Sequence, residues 1–473
     1  MRVNLMFRIV LSYCCCLLFF SSAFAEKRAE LANQEPLSIA LKTSSDLKPL
    51  YLAPFFSQES DFDSFYLGEI EKILRFDLSH NGRLQLLADT QERQEQAQKE
   101  GFGGYYDREM WKNLGARYVM KVKLYDKRLS VSVFSVSNYN VKTVSDVDLS
   151  GELFKDRGLI HEVEEALHKA FFGTQGVADT RILYTLKTRD KANDSTQWTS
   201  QVWECDYDGA LPKQLSQEER FCVTPSYLPP RLGSKPSHFF YVSYRMGQPK
   251  IFVASRQDGV GRRFSYLRGN QLMPVVSPQR DQVAFICDVA GNPDIFLQAY
   301  NTRMGSIGKP RQIFTARRGT QASPCFSPDG KRLAFVSDKD GSPRIYVMNI
   351  PRSGARLEEV EAVLVSKKNR ENTAPSWSPD GKKLAYSSMT EGVRQIWVYD
   401  FETREEKQLS FGGNLHRENP SWAPNSLHLV FNAASESSSE LYIINLNQAE
   451  PIKISSGSGE KRFAVWQPRT VDE

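Results

Sequence analysis

Pro324-Cys325-Phe326-Ser327-Pro328-Asp329-Gly330-Lys331-Arg332-Leu333-Ala334-Phe335 returns as Pro375-Ser376-Trp377-Ser378-Pro379-Asp380-Gly381-Lys382-Lys383-Leu384-Ala385-Tyr386. It returns again, altered, as Pro420-Ser421-Trp422-Ala423-Pro424-Asn425-Ser426-Leu427-His428-Leu429-Val430-Phe431. A repeat this long is one supersecondary unit copied along the chain. The residue two after each Pro marks the units: Tyr227, Val276, Phe326, Trp377 and Trp422, with Trp466 as the sixth. Subtraction gives intervals of 49, 50, 51, 45 and 44 residues, which suits a propeller blade of four strands. Helical repeats of similar period are excluded, because the units read as short apolar strands bounded by turn residues. Residues 333–336 and 345–348 are the two strongest strands of one unit; 384–386 with 396–399, 284–286 with 295–297, and 239–242 with 251–253 are their copies.

The repeated phrase carries turn chemistry. Pro presets φ, Asp bonds the backbone ahead of it, and Gly takes a positive φ. Ser-Pro-Asp-Gly-Lys therefore reads as the hairpin between a blade's first and second strands, and the flanking aromatic and Leu-Ala-Phe/Tyr residues as packing between blades. One blade cannot bury both faces, so the ring must close. The last marker, Trp466, is followed by no further strands, while residues 181–185 and 201–205 supply middle strands with no phrase before them. The C-terminal strand is expected to complete that first blade and remove the open edges. The predicted architecture is an N-terminal α/β domain, residues 36–175, followed by an all-β six-bladed propeller of WD40-like repeats, residues 178–468.

Residues 1–25 read as a targeting segment: Arg2 and Arg8 flank an apolar stretch, and Ala23-Phe24-Ala25 is a small-x-small cleavage site. The apolar stretch is too short to span a membrane, and the Ala-x-Ala site downstream argues against lipid modification at Cys14, Cys15 or Cys16. Removing Arg2 and Arg8 lowers the formal net charge from +5 to +3, and Lys and Arg are spread singly, so nucleic acid is not an expected partner. Cys205, Cys222, Cys287 and Cys325 remain. Their plain reading is small buried residues, with a Cys205–Cys222 disulfide as the alternative in an oxidising compartment.

Residues 26–46 are assigned as a mobile N-terminal segment, polar to Glu35 and alternating like a strand over 37–41. Beyond a second strand over 50–55, Phe62, Phe65, Leu67, Ile70, Ile73, Leu74 and Leu78 fall largely on one helical face, and Asn81-Gly82 ends that helix. A strand over 84–87 follows, then a short helix capped by Asp107, strands over 118–124, 129–136 and 141–149, and a last amphipathic helix marked by Ile160, Val163, Leu167 and Ala170 with Gly173 after it.

Catalytic chemistry is not legible. His161-Glu162 begins like a zinc-protease motif, but the second His position holds Glu165, and a solvated helix face is the simpler reading. Gly-x-Ser-x-Gly, Walker and dinucleotide motifs are missing, and the Asp-Gly pairs lack the Asp ladder of a calcium loop. No catalytic residue, metal or cofactor is expected, which leaves binding as the default. A propeller fused to a hydrolase would need a further domain with a Ser elbow. A propeller that takes a small ligand or peptide in its channel is the other competing reading.

The chain at this point resembles the TolB family of the Tol–Pal cell-envelope system. Beside the repeats, the resemblance rests on Leu52-Ala53-Pro54-Phe55, Asp77-Leu78-Ser79-His80-Asn81-Gly82-Arg83, Trp111-Lys112-Asn113-Leu114-Gly115-Ala116 and Ala178-Asp179-Thr180-Arg181-Ile182-Leu183-Tyr184. It implies a periplasmic, non-enzymatic monomer that joins the envelope only through its partners and serves outer-membrane integrity and constriction at division. The implied partners are a Pal-type peptidoglycan-associated lipoprotein, bound at the channel mouth, and a TolA-type inner-membrane protein, bound by the N-terminal segment. Carried onto this chain, the lipoprotein surface falls on loops before each blade's first strand: Asn270, Gln271, Met273, Gln321, Ala322, Asn372, Thr373, Arg417, Glu418 and Asn419. The TolA-type site falls on Glu35, Leu37, Ile39, Leu41 and Ser44, and signal cleavage follows Ala25. The second and third blades depart from the phrase, with Leu228-Pro229-Pro230-Arg231 and Pro278-Gln279-Arg280-Asp281 in its place.

Overall fold

A computed structural model describes residues 47–189, 198–218 and 221–469. The targeting segment and the segment 26–46 lie outside the described residues. The α/β region and the propeller belong to one compact unit.

The α/β region is built on one mixed sheet. Its strands are β1 (Lys48–Leu52), β2 (Phe56–Ser60), β3 (Leu84–Leu86), β4 (Tyr118–Asp126), β5 (Arg128–Ser135) and β6 (Asn140–Asp148), in the order β3-β1-β4-β5-β6, with β2 also on β4. Its helices are α1 (Ser64–His80), α2 (Gln91–Glu100), α3 (Arg108–Asn113) and α4 (Leu153–Phe172). Asp63 caps α1 by accepting from the Tyr66 amide at 2.7 Å, and Asp107 caps α3 by accepting from Met110 at 3.0 Å. Ile70, Ile73, Leu74 and Leu78 of α1 and Ile160, Val163 and Leu167 of α4 share one core with Leu50, Met120, Val122, Val131 and Val133 of the sheet. The other sheet face holds a buried ion pair: Lys121 donates to Glu100 at 2.9 Å, and Glu100 also accepts from the Trp111 indole and the Asp107 amide. That pair fixes α2, whose sequence offers almost no apolar period.

Six four-stranded antiparallel sheets follow. The inner strands, one per blade, are Cys222–Tyr227, Gln271–Val276, Gln321–Phe326, Asn372–Trp377, His416–Trp422 and Glu460–Trp466, and each contacts the next around a closed ring. The ring closes as the sequence predicts. Glu460–Trp466 pairs antiparallel with Arg181–Arg189 and is the inner strand of that blade. Trp466 then donates its indole N–H to Thr180 Oγ1 at 2.8 Å, and the Gln467 amide bonds the Arg181 carbonyl at 2.8 Å.

The turn phrase behaves as its chemistry requires. Ser327 Oγ donates to Asp329 and accepts from the Arg332 amide at 2.9 Å, while the Lys331 amide bonds Asp329 at 3.0 Å. Ser378 and Asp380 repeat the pattern. Gly330 and Gly381 sit at φ 67° and 74°, and the departed phrases force Arg280 and Ser426 into the same conformation, at φ 65° and 55°. The disulfide alternative fails: Cys205 and Cys222 are both free and buried, in separate clusters, and Cys222 donates to the Ser200 carbonyl instead.

A chain truncated before Glu460 leaves the blade of Arg181–Arg189 without its inner strand. It is expected to lose the cooperative thermal transition of the full protein; calorimetry that still shows a single sharp transition would contradict ring closure as the source of cooperativity.

Candidate protein-interaction site

Each inner strand carries the same irregularity. Its pairing register shifts across the Pro or its counterpart, and the residue just before takes a left-handed φ: Thr224, Met273, Ser323, Ala374, Asn419 and Phe463, between 47° and 55°. Left-handed backbone costs an L-residue about 1–2 kcal/mol, so something must hold it six times over. The bulge swings the side chain after the Pro toward the next blade. Cys325 Sγ accepts from the Trp377 amide at 3.3 Å, Ser376 Oγ from Trp422 at 3.3 Å and Ser421 Oγ from Trp466 at 3.0 Å. These bonds tie the bulge of one blade to the marker aromatic of its neighbour.

The structure places the expected residues in strands rather than in loops. Of the ten residues assigned to loops at the channel mouth, only Asn270 precedes its strand; the other nine lie within inner strands. Gln271, Gln321, Asn372 and Thr373 are buried. The position three before the Pro is a clamp. Gln271 donates to the Leu267 carbonyl at 2.8 Å, Asn372 to Asn369 at 2.7 Å, Arg417 to Gly412 at 2.8 Å and Lys461, its counterpart, to Gly457 at 2.6 Å. Gln321, its amide oriented to donate, bonds the Pro293 carbonyl at 2.7 Å. The first four side chains hold the lead-in loop against its strand, whereas Gln321 reaches into the preceding blade, just before its strand Asp294–Asn301. Asn270 is likewise engaged, twice, by Asp288. Ala322, Glu418, Met273 and Asn419 stay half-buried, and the bulge adds Thr224, Ser323, Ala374 and Phe463 to that set. The sequence signal for these four was the X-Pro step or its counterpart at each marker. Glu35, Leu37, Ile39, Leu41, Ser44 and Ala25 lie outside the described residues.

A second polar concentration, which the sequence did not reveal, joins the two parts of the protein. His161 is buried, not solvated, because its face of α4 packs on the propeller. Its Nδ1 donates to Asp77 of α1 at 2.8 Å, and Tyr207 of the propeller donates to the other Asp77 oxygen at 2.6 Å. Burial and then Asp77 hold the Tyr207 hydroxyl well above its ordinary pKa. Arg157, one turn before His161, ion-pairs with Asp206 at 3.5 Å and with Asp208. At the α1 terminus His428 Nε2 donates to the His80 carbonyl at 2.7 Å, and Asn447 donates to Gly82 at 2.8 Å. Gly82 sits at φ 71°, and a Cβ there would lie 2.6 Å from Leu427. Glu164 accepts from Asn81, and burial raises its carboxyl well above the usual range.

A closed ring of six blades packed on an α/β domain defines a β-propeller protein with an N-terminal α/β domain. The family model described as the TolB beta propeller domain, PD40, matches residues 168–470. A TolB homolog of Protochlamydia amoebophila is 48% identical over 403 residues, which cover 85% of this chain and 86% of that one. Another, from Chlamydia pneumoniae, is 38% identical over 73% of this chain and 78% of its own. The crystal structure of TolB from Acinetobacter baumannii has a TM-score of 0.70 at 22% identity, covering 89% of this chain and 97% of that one; it supports the fold. The chain belongs to the TolB family.

Two outcomes test the site's construction. Gln271→Ala and Asn372→Ala are expected to lower the unfolding free energy by about 1–2 kcal/mol each, because each strands a buried carbonyl; neutral variants in urea titrations would return these residues to the surface reading. The second outcome concerns pH. Burial holds His428 down to about 4, whereas the unfolded chain binds that proton near 6.5. The neutral ring's contribution is whole above about 6.5 and is lost as pH falls toward 4. Glu164 acts in the opposite sense, contributing at low pH and losing that contribution as pH rises above the usual carboxylate range. Comparison with His428→Gln isolates the histidine. Between about pH 7 and 4 the unmodified protein is expected to lose roughly 3 kcal/mol more than the variant; parallel pH profiles would contradict the assignment.

Proposed function

We propose that the protein is a non-enzymatic periplasmic adaptor of the Tol–Pal system. It presents the inner-strand ring of its propeller to a Pal-type peptidoglycan-associated lipoprotein and its N-terminal segment to a TolA-type inner-membrane protein. Through them it serves outer-membrane integrity and constriction at division. Family membership supports the system. The observation that carries the propeller face is the ring of six bulges, which holds backbone strain at one equivalent position in every blade. Strain of this kind collects where a ligand or partner is met. The half-buried residues Met273, Ser323, Ala374, Asn419, Thr224 and Phe463 form the first set to examine, with Ala322 and Glu418 beside them; Gln271, Gln321, Asn372 and Arg417 act behind them as clamps. On the N-terminal side, Glu35, Leu37, Ile39, Leu41 and Ser44 form the segment that reaches the second partner, and alternation of apolar residues suits strand addition to a partner's sheet.

Calorimetry separates the two sites. The chain from Glu26 and a shorter one from Asp46 are titrated with the periplasmic domains of both partners. Both chains are expected to bind the Pal-type domain saturably, and only the longer one the TolA-type domain. Failure of both chains to bind the Pal-type domain would overturn the propeller assignment, and equal binding of the TolA-type domain by both would overturn the assignment to the N-terminal segment.

A further inference from the structure

From the buried seam between α4 and the propeller we infer a divalent-cation site, formed by His161 of α4 with Asp206 and Asp208 of the propeller. One nitrogen of His161 and one carboxylate oxygen from each aspartate lie within 4.8 Å of one another, a spacing that a single ion can draw together. His161 is 2% exposed. Its Nδ1 must carry the proton, because the partner there is an Asp77 carboxylate, an acceptor only. In the neutral ring, the form a metal ion takes, Nε2 is then a bare lone pair. It is buried and has no hydrogen-bond partner. A buried acceptor among carboxylates is costly unless a cation lies between them.

Charge points the same way. Four carboxylates meet at this seam, Asp77, Glu204, Asp206 and Asp208, against three guanidinium groups, Arg157, Arg181 and Arg256. With His161 neutral, one negative charge is left over. Arg157 does not meet the need of His161: it makes no hydrogen bond to Nε2, and its own Nε is likewise without a hydrogen-bond partner. Nor do existing bonds exhaust the aspartates. Asp206 Oδ1 meets Arg181 at 3.3 Å and Asp208 Oδ1 accepts from the Ala210 amide at 3.1 Å, but each oxygen retains a second lone pair. The ion therefore joins Arg157 rather than displacing it.

Donor chemistry selects the class of metal. One imidazole and two carboxylates suit Zn2+ among biological divalent ions, with water in the fourth position. Asp77 already holds the other ring nitrogen of His161, as carboxylates do behind metal-bound histidines. The Asp206 and Asp208 side chains are 9% and 5% exposed, so the site is largely shielded from solvent. The ligands come from an α4 residue and a turn some forty-five residues later, a separation at which no sequence motif could show them. Since α4 and the Asp206–Asp208 turn belong to different parts of the fold, a bound ion would pin one to the other.

The test uses the full chain stripped with chelator. Zn2+ titration by calorimetry is expected to show one equivalent bound, and Co2+ to give a visible d–d spectrum of a nitrogen–oxygen site. His161→Gln, which keeps a donor for Asp77, and Asp208→Asn should each weaken Zn2+ binding about tenfold or more and remove the Co2+ spectrum. Circular dichroism confirms that both variants are folded. No stoichiometric binding by the unmodified chain, or variants that bind as it does, would overturn the inference; the latter would place the metal on another histidine.

Discussion

Everything else in the propeller depends on the left-handed residue before each inner-strand proline. Without the bulge, the inner strand would continue in register with its own blade, and the side chain after the proline would stay on that blade's face. With it, Cys325, Ser376 and Ser421 reach the amides of Trp377, Trp422 and Trp466 in the next blade. The cost of the conformation is about 1–2 kcal/mol per residue, and in these three blades it is offset by bonds available only when a neighbour is in place. The repeat is thus stable as a ring and not as a single blade. That is why the C-terminal strand must return to Arg181–Arg189.

The same constraint explains the burial of polar side chains near the channel mouth. A bulged strand needs its lead-in loop held, and Gln271, Asn372, Arg417 and Lys461 hold it through backbone carbonyls. Polar residues at this end of the inner strands are therefore of two kinds. Some are fixed to their own loop. Others, such as Asn419 and Met273, sit on the bulge itself.

The fold was legible because turn chemistry and alternating strands repeat six times, so chance variation in one blade is corrected by the others. Asp107, Asn81-Gly82 and Gly173 likewise announced helix ends through caps that act within a few residues. What the sequence hid was non-local. Helix α2, Gln-Glu-Arg-Gln-Glu-Gln-Ala-Gln-Lys-Glu, buries Ala97 and Gln96 and little else, and is held by Glu100 bonding to Lys121 and Trp111. His161 looked solvated because its partners, Asp77 and Tyr207, lie far away in the chain. The clamp role of Gln271 or Asn372 depends on a loop conformation that no propensity encodes. The inner strands that carry the expected residues were thus legible, and their division into clamps and bulge residues was not.

Native-state hydrogen exchange at the amides of Trp377, Trp422 and Trp466 tests the central claim most directly. If inter-blade bonds make the ring one cooperative unit, all three amides exchange only through global unfolding, with a common free energy that falls with denaturant at the global slope. If Trp466 exchanges through a smaller, denaturant-insensitive opening while the other two do not, the closing blade is an independent element, and the bulges do not hold the ring together.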